Sequence, residues 1–238
     1  MNSIDDSMNE TFSYFFSDAG YDPAFLSALE RPQVFSEEKE TVIAQFETDL
    51  AKQLEHKPHR LEHSFGVGKI AQALAAVYGG DEEQQYKARV AGILHDWEKA
   101  YELDELLNKA QQLHLEEDPL LAGIDLADAK PLLHGFIAKK TLKNSYPFLS
   151  DDVLRAIALH TLGSVDASFL DKVVYIADFI EPSRGNEKRL RKVREQAGVV
   201  SLDELYFASY QASILFVIQT GRYLLPASLA IYNGLLQR

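Results

Sequence analysis

No cysteine occurs anywhere in the 238-residue chain. Disulfides, thiolate metal centres and a cysteine nucleophile are therefore excluded, and any metal must be held by nitrogen and oxygen. Basic residues are scarce too: 24 Lys and Arg stand against 36 Asp and Glu, a net charge of −12. An extended nucleic-acid surface, which is usually basic, is not expected. A small anionic substrate stays open, because a metal ion and a few basic side chains reverse the potential locally. Long apolar runs are missing as well. The longest, such as "ASILFVIQ" at 212–219, fall far short of a membrane span. The acidic start "MNSIDDSMNETFSYFF" has no basic region of a signal peptide. A cytoplasmic protein with no membrane partner is the default reading. Internal repeats, low-complexity segments and a glycine-rich phosphate loop are also absent.

What is present has the balance of a soluble globular protein, 46% apolar and 25% charged, and is long enough to bury a sizeable core. Residues 1–35 carry Gly20, Pro23, Pro32 and scattered aromatics: Phe12, Tyr14, Phe15, Phe16, Tyr21 and Phe25. They read as an N-terminal arm with one or two short helices docking by those rings, ahead of a domain over 36–238. Ser36 followed by Glu38 and Glu40 marks a helix start, and Ile43, Phe46, Leu50 and Leu54 form one apolar stripe. The helical period returns from Leu61 to Val77, where Gly79-Gly80 stops it. Further helices are predicted over 82–97, 102–113, 130–143, 150–160, 166–180, 187–197, 201–220 and 226–237, the last opened by Pro226. β-branched content alone would also allow a strand over "KVVYIADFI", 172–180. Strands nowhere alternate with helices, and the chain reads as all-α.

Four of the seven histidines share one setting, on or beside the apolar stripe of a helix: "RLEHSFGV" holds His63, "GILHDWEK" His95, "PLLHGFIA" His134 and "AIALHTLG" His160. A single histidine so placed is ordinarily a core residue bonded to a backbone carbonyl. Four of them, with carboxylates in similar places, ask for a common partner. Asp96 follows His95 directly, and Asp178 lies among Val174, Ile176, Ala177, Phe179 and Ile180. A carboxylate buried alone there would cost several kcal/mol, and a divalent cation removes that cost. Imidazole and carboxylate donors suit iron, manganese, zinc or nickel rather than calcium or magnesium. Neighbouring residues diverge by about 100° on a helix, so His95 and Asp96 reach one ion only close to a helix end.

The remaining polar residues read less sharply. His56 and His114 lie in polar surroundings and read as surface residues. His59 is four before His63, the spacing of a helical metal pair, yet it follows Pro58 at a helix start and suits an exposed or phosphate-contacting role. Lys99 shares a helical face with Asp96 and either neutralises phosphate or pairs with an acid such as Glu102. The basic run "RGNEKRLRKVR", 184–194, reads as a solvated helix face. Arg184 is set apart from it: past Pro182, at the mouth of the metal site, its planar fork suits a phosphate.

The order His63, His95-Asp96, His134, His160 and Asp178 resembles the HD superfamily of metal-dependent phosphohydrolases. Taken together, "HRLEHSFGV", "AGILHDWEK", "LLHG", "AIALHT" and "VVYIADFIEPSR" resemble more narrowly its YqeK-type branch, bacterial symmetrical hydrolases that split diadenosine tetraphosphate into two ADP. The likeness runs from His59 to Leu236 and includes "YLLPASLAIYN". It implies a helical HD-domain bundle with the metal site between core helices, and one iron ion on His63, His95, Asp96 and Asp178. His134 and His160 would line the phosphate site, at positions that hold a second metal elsewhere in the superfamily. Arg184 would bind phosphate, and the turn carrying Gly221, Arg222, Tyr223, Leu225 and Pro226 would cover the nucleoside. Two departures stand out: "TLG" follows His160 where a second threonine is expected, and the N-terminal arm is extra. Neither touches a ligand.

The expected chemistry is attack of metal-activated water on an inner phosphorus, expelling ADP, with Asp96, His134, His160 and Lys99 as catalytic groups. Activity is expected to fall below about pH 6.5, where ligand histidines protonate. The partner is a dinucleoside polyphosphate, and a homodimer stays open. Three alternatives also remain: an HD phosphohydrolase for another nucleotide, a catalytically silent nucleotide sensor, and a helical scaffold with incidental histidines.

Overall fold

The computed structural model describes residues 19–238, and among them there are eleven α-helices and no strand. They are α1 (Pro23–Glu30), α2 (Glu37–Gln53), α3 (Pro58–Val77), α4 (Glu82–Leu94), α5 (Leu103–Gln112) and α6 (Leu133–Ser145), then α7 (Asp151–Leu159), α8 (Phe169–Ile180), α9 (Lys188–Arg194), α10 (Leu202–Gln219) and α11 (Pro226–Leu235). Local chemistry sets many of their starts. Ser36 accepts from the Lys39 amide to cap α2. Reciprocal capping boxes pair Asp81 with Gln84, Ser168 with Asp171 and Ser201 with Glu204 at α4, α8 and α10. Pro58 and Pro226 open α3 and α11, where a missing amide hydrogen costs nothing. Residues 172–180 are helical, so the strand alternative fails: both faces of this segment are buried, and a capped helix satisfies its backbone internally.

Two apolar clusters form the interior. The larger gathers residues of α1 to α4 with α8, α9 and α10. The smaller lies under α5 and the irregular stretch after it and includes Leu133, Phe136, Ala158 and Leu159 of α6 and α7. Those two helices also place Ala138, Leu142, Leu154 and Ile157 in the larger cluster, so they bridge the two. The part of the expected arm that falls within the described residues belongs to this interior. Tyr21, Phe25 and Phe35 are buried in the larger cluster, and the Tyr21 hydroxyl donates to the Ile180 carbonyl at 2.6 Å. Phe12, Tyr14, Phe15 and Phe16 lie outside the described residues. Among the described residues no helix is long and apolar enough to cross a membrane.

The basic run corrects one expectation. It is not simply a solvated face, because Arg194 is buried at 1% exposure. Its Nε donates to the Ile180 carbonyl at 2.7 Å and its Nη2 to the Glu181 carbonyl at 2.9 Å. The Ile180 carbonyl ends α8, where the helix itself supplies no donor, so the arginine joins the Tyr21 hydroxyl in the role that a C-cap would fill.

Candidate metal centre

Four helix segments bring the buried histidines to one point. His63 lies in the second turn of α3, and His95 and Asp96 follow the last residue of α4, where the chain turns into a short 3-10 segment over Trp97–Ala100. That helix end lets two adjacent side chains face one centre. His134 is in the first turn of α6, His160 caps the C-terminus of α7, and Asp178 lies in the last turn of α8. All six are buried. Close helix crossings make the convergence tight. A Cβ on Gly92 would lie 2.7 Å from Gly68 Cα, and one on Gly135 would lie 2.7 Å from the Ile157 carbonyl oxygen.

The hydrogen bonds fix which ring nitrogens are free. His95 Nδ1 donates to the Gly92 carbonyl at 2.7 Å, His160 Nδ1 to that of Ile157 at 2.7 Å, and His134 Nδ1 to that of Pro131 at 3.1 Å. In the neutral form each Nε2 is then a bare lone pair. His134 Nε2 lies 2.9 Å from His160 Nε2 and 3.2 Å from Asp96 Oδ1. His95 Nε2 is buried without a hydrogen-bond partner, 3.4 Å from Asp178 Oδ1 and 3.6 Å from Asp96 Oδ1. Acceptors thus face acceptors, an arrangement that repels unless a cation lies among them. Two triads have donor atoms within 4.8 Å of one another: His63, His95 and Asp178, and His95, Asp96 and His160. These residues fit a metal with nitrogen and oxygen ligands.

His63 differs from the other three. Its Nδ1 donates to the Glu181 carboxylate at 2.7 Å, while Nε2 meets Asp178 Oδ1 at 2.9 Å. Glu181 is itself held by the Ser183 amide at 3.0 Å and by the Ser183 hydroxyl. An anionic partner behind a ligating imidazole strengthens it as a donor. Burial alone would lower the His63 pKa, but its bonds to Asp178 and Glu181 outweigh burial and raise it to about 9. Burial carries His134 down to about 4, helped by the charge of Lys99, and takes His160 well below the ordinary value. Burial would push both carboxyls up. The imidazoles around Asp96, and Arg184 with His63 and His95 around Asp178, hold them well below the carboxylate range instead.

Two cavities open onto this cluster. An inner one of about 310 Å³ is lined by Asp96, Lys99, His134, His160 and Asp178. An outer one of about 690 Å³ runs past His63, Phe216 and Val217. Arg60, Phe179, Arg184, Ser213 and Arg222 line both. Arg184 grips Asp178, its Nε donating to the backbone carbonyl at 2.6 Å and its Nη2 to the carboxylate. Lys99 reaches the inner cavity, where burial lowers its pKa, and Glu102 pairs instead with Lys57 at 2.9 Å. His59 is exposed on the rim of the outer cavity, and His56 and His114 are exposed as expected.

Of the expected nucleoside turn, only Arg222 lines the cleft. Leu225 is buried in the smaller apolar cluster, Pro226 opens α11, and Tyr223 is exposed; Gly221 supplies the positive φ of +65° that ends α10. Arg60, Glu181 and Phe216 were not singled out from the chain. Arg60 precedes His63 by three residues, so their shared helical face was a usable signal, and it reaches Asp96 Oδ2 at 3.4 Å.

Residues 60–183 match the family described as HD domain, just over half of the chain. The chain belongs to the HD domain family. Among curated relatives it is 33% identical over 178 residues to a protein of Halalkalibacterium halodurans named "Bis(5'-nucleosyl)-tetraphosphatase, symmetrical", covering 75% of this chain and 89% of that one. Proteins of the same name match from Staphylococcus aureus, at 32% over 67% of this chain and 78% of that one, and from Bacillus subtilis, at 29% over 74% and 89%. A solved structure described as a predicted HD superfamily hydrolase involved in NAD metabolism, from Clostridium acetobutylicum, superposes with a TM-score of 0.69 at 31% identity. It covers 82% of this chain and 97% of that one. The helical bundle expected for an HD domain is the one observed.

Proposed function

We propose that this HD protein is a metal-dependent hydrolase that splits diadenosine tetraphosphate symmetrically, with one water, into two ADP. The observation that carries the reading is the set of inward-facing acceptors, centred on the unpartnered His95 Nε2, beside an arginine-lined cleft in a chain whose relatives bear that activity in their name. The ligands assigned to the ion are His63, His95, Asp96 and Asp178. When bound there, a transition metal supplies Lewis acidity and brings the pKa of a water toward neutrality. Iron is the ion favoured, and the donor set also suits manganese, zinc and nickel.

The protein's own groups do the rest. His134 and His160, neutral at pH 7, present Nε2 lone pairs that hold and orient the attacking water. Arg60, Lys99, Arg184 and Arg222 border the same space and offset charge building on the phosphoryl oxygens. Attack at an inner phosphorus breaks its bond to the bridging oxygen, and ADP leaves with that oxygen. The reading places the enzyme in the cytoplasm, acting on a free dinucleotide with neither nucleic acid nor membrane as partner.

Chromatography of the products, run beside elemental analysis of the purified protein, tests this. About one equivalent of transition metal per chain and ADP as the sole nucleotide product are expected. ATP with AMP would mean an asymmetric cut and overturn the reading. Tight nucleotide binding by metal-replete protein without turnover would favour a sensor, and the absence of stoichiometric metal a scaffold.

A further inference from the structure

The outer cavity is more than a vestibule. Its wall carries a stack of flat groups, of which the phosphate chemistry uses only Arg222. The Arg189 guanidinium lies 4.3 Å from the centroid of the Phe216 ring and 5.7 Å from that of Phe179, and the Arg222 guanidinium lies 5.1 Å from Phe216. Arg189 is fixed from behind by Glu187, which accepts from its Nε at 2.8 Å. Phe216 belongs to the apolar run 214–218 in the second half of α10, which leaves Leu215 and Ile218 exposed. A ring placed only for packing would turn to the interior. This one is half-buried and lines an open cavity together with two guanidinium groups.

We infer that the Arg189–Phe216–Arg222 stack is the binding site for one nucleobase of a dinucleotide substrate. The inference rests on the proposed function and deepens it by naming residues that hold a substrate half. Three features support it. First, a purine is flat, uncharged and aromatic, so it packs on a phenyl ring or a guanidinium plane equally well. Second, Arg60, Arg184 and Arg222 line both cavities, marking the seam across which a phosphate chain would pass from the metal-facing side to the outer side. Third, the cavity volumes of about 310 and 690 Å³ fall within the range of small-molecule sites. The smaller is lined by the acids, imidazoles and Lys99, and the larger has the apolar wall that a base needs. The stack therefore tells a dinucleoside polyphosphate from a bare polyphosphate chain.

The test compares two ligands with the same phosphate chain. KM is measured for diadenosine tetraphosphate, and Ki for inorganic tetraphosphate, which carries no nucleoside, as an inhibitor of the same reaction. Phe216→Ala should raise KM for the dinucleotide about tenfold, the loss of one base stack, and raise Ki for inorganic tetraphosphate far less. Phe216→Tyr, which keeps the ring, should stay within about twofold of the parent in both constants. Arg189→Met supplies a second probe that leaves α10 untouched, and it should shift the KM-to-Ki ratio in the same direction. Equal shifts in both constants, or no shift in either variant, would overturn the assignment while leaving the hydrolase reading in place. If the parent enzyme turns over no dinucleoside tetraphosphate, the hydrolase reading falls and this inference falls with it.

Discussion

Asp96 is the residue on which the candidate metal centre turns. One of its oxygens faces three imidazoles, at 3.6 Å from His95, 3.2 Å from His134 and 3.8 Å from His160, and the other accepts from Arg60 at 3.4 Å. Replacing it with alanine removes a ligand and leaves lone pairs facing one another without a counter-charge. In Asp96→Ala, metal content by elemental analysis should fall below about a tenth of the parent's. Turnover should drop about a thousandfold, the several kcal/mol that Lewis-acid catalysis supplies. A variant retaining both would remove the central claim. The six buried donors were legible because each is a polar residue where the helical pattern demands an apolar one. Glu181 was not. It follows the last turn of α8 beside Pro182 and has the local pattern of a solvent-facing acid, and only the fold brings His63 to it. Arg194 was misread for the same reason: its neighbours in the chain are charged, while its partners are the carbonyls of Ile180 and Glu181.

At the scale of helices, the site depends on how closely α3 and α4 cross. Gly92 meets Gly68 backbone to backbone, and its carbonyl also orients His95. A methyl group on Gly92 would sit within 2.9 Å of Gly68 N and of the Val67 carbonyl oxygen, contacts that backbone cannot evade by changing a rotamer. Gly92→Ala should therefore destabilise the fold by about 1–3 kcal/mol, the usual cost of overpacking, read as a lower midpoint in urea. It should also weaken metal retention during dialysis, because His95 moves with the end of α4. Full stability with normal metal content would show that the crossing has slack. Helix positions were largely legible, since caps such as Ser36 and Asp81 and stops such as Gly79-Gly80 are local signals. Residues 114–132 were not, because short 3-10 turns have neither a period nor a cap to announce them. Neither was the depth to which Tyr21 and Phe25 enter the core, since aromatic spacing in a short helix does not reveal its partner.

Over the whole molecule, an acidic chain keeps a group of arginines at one cleft and several imidazoles in its interior, and this combination sets its response to acid. Burial holds His134 at about 4 when folded and His160 well below its ordinary value, whereas the unfolded chain takes up those protons near 6.5. The stability these two contribute is complete above about pH 6.5 and is lost progressively as pH falls toward 4. His63 acts in the opposite sense. Raised to about 9, its contribution is complete below 6.5 and fades only as pH rises through 9, so it offsets none of the loss in acid. Asp96 and Asp178, held below the carboxylate range, begin to weaken the fold only under about pH 4. Metal-free protein should accordingly lose on the order of 3 kcal/mol of unfolding free energy between pH 7 and pH 4.5, measured by urea titration. A flat or rising profile would mean that the buried imidazoles are already charged at neutrality. In metal-loaded protein, protons also compete with the ion for the lone pairs of its assigned ligands, so elemental analysis after dialysis should show the ion leaving as the solution is acidified.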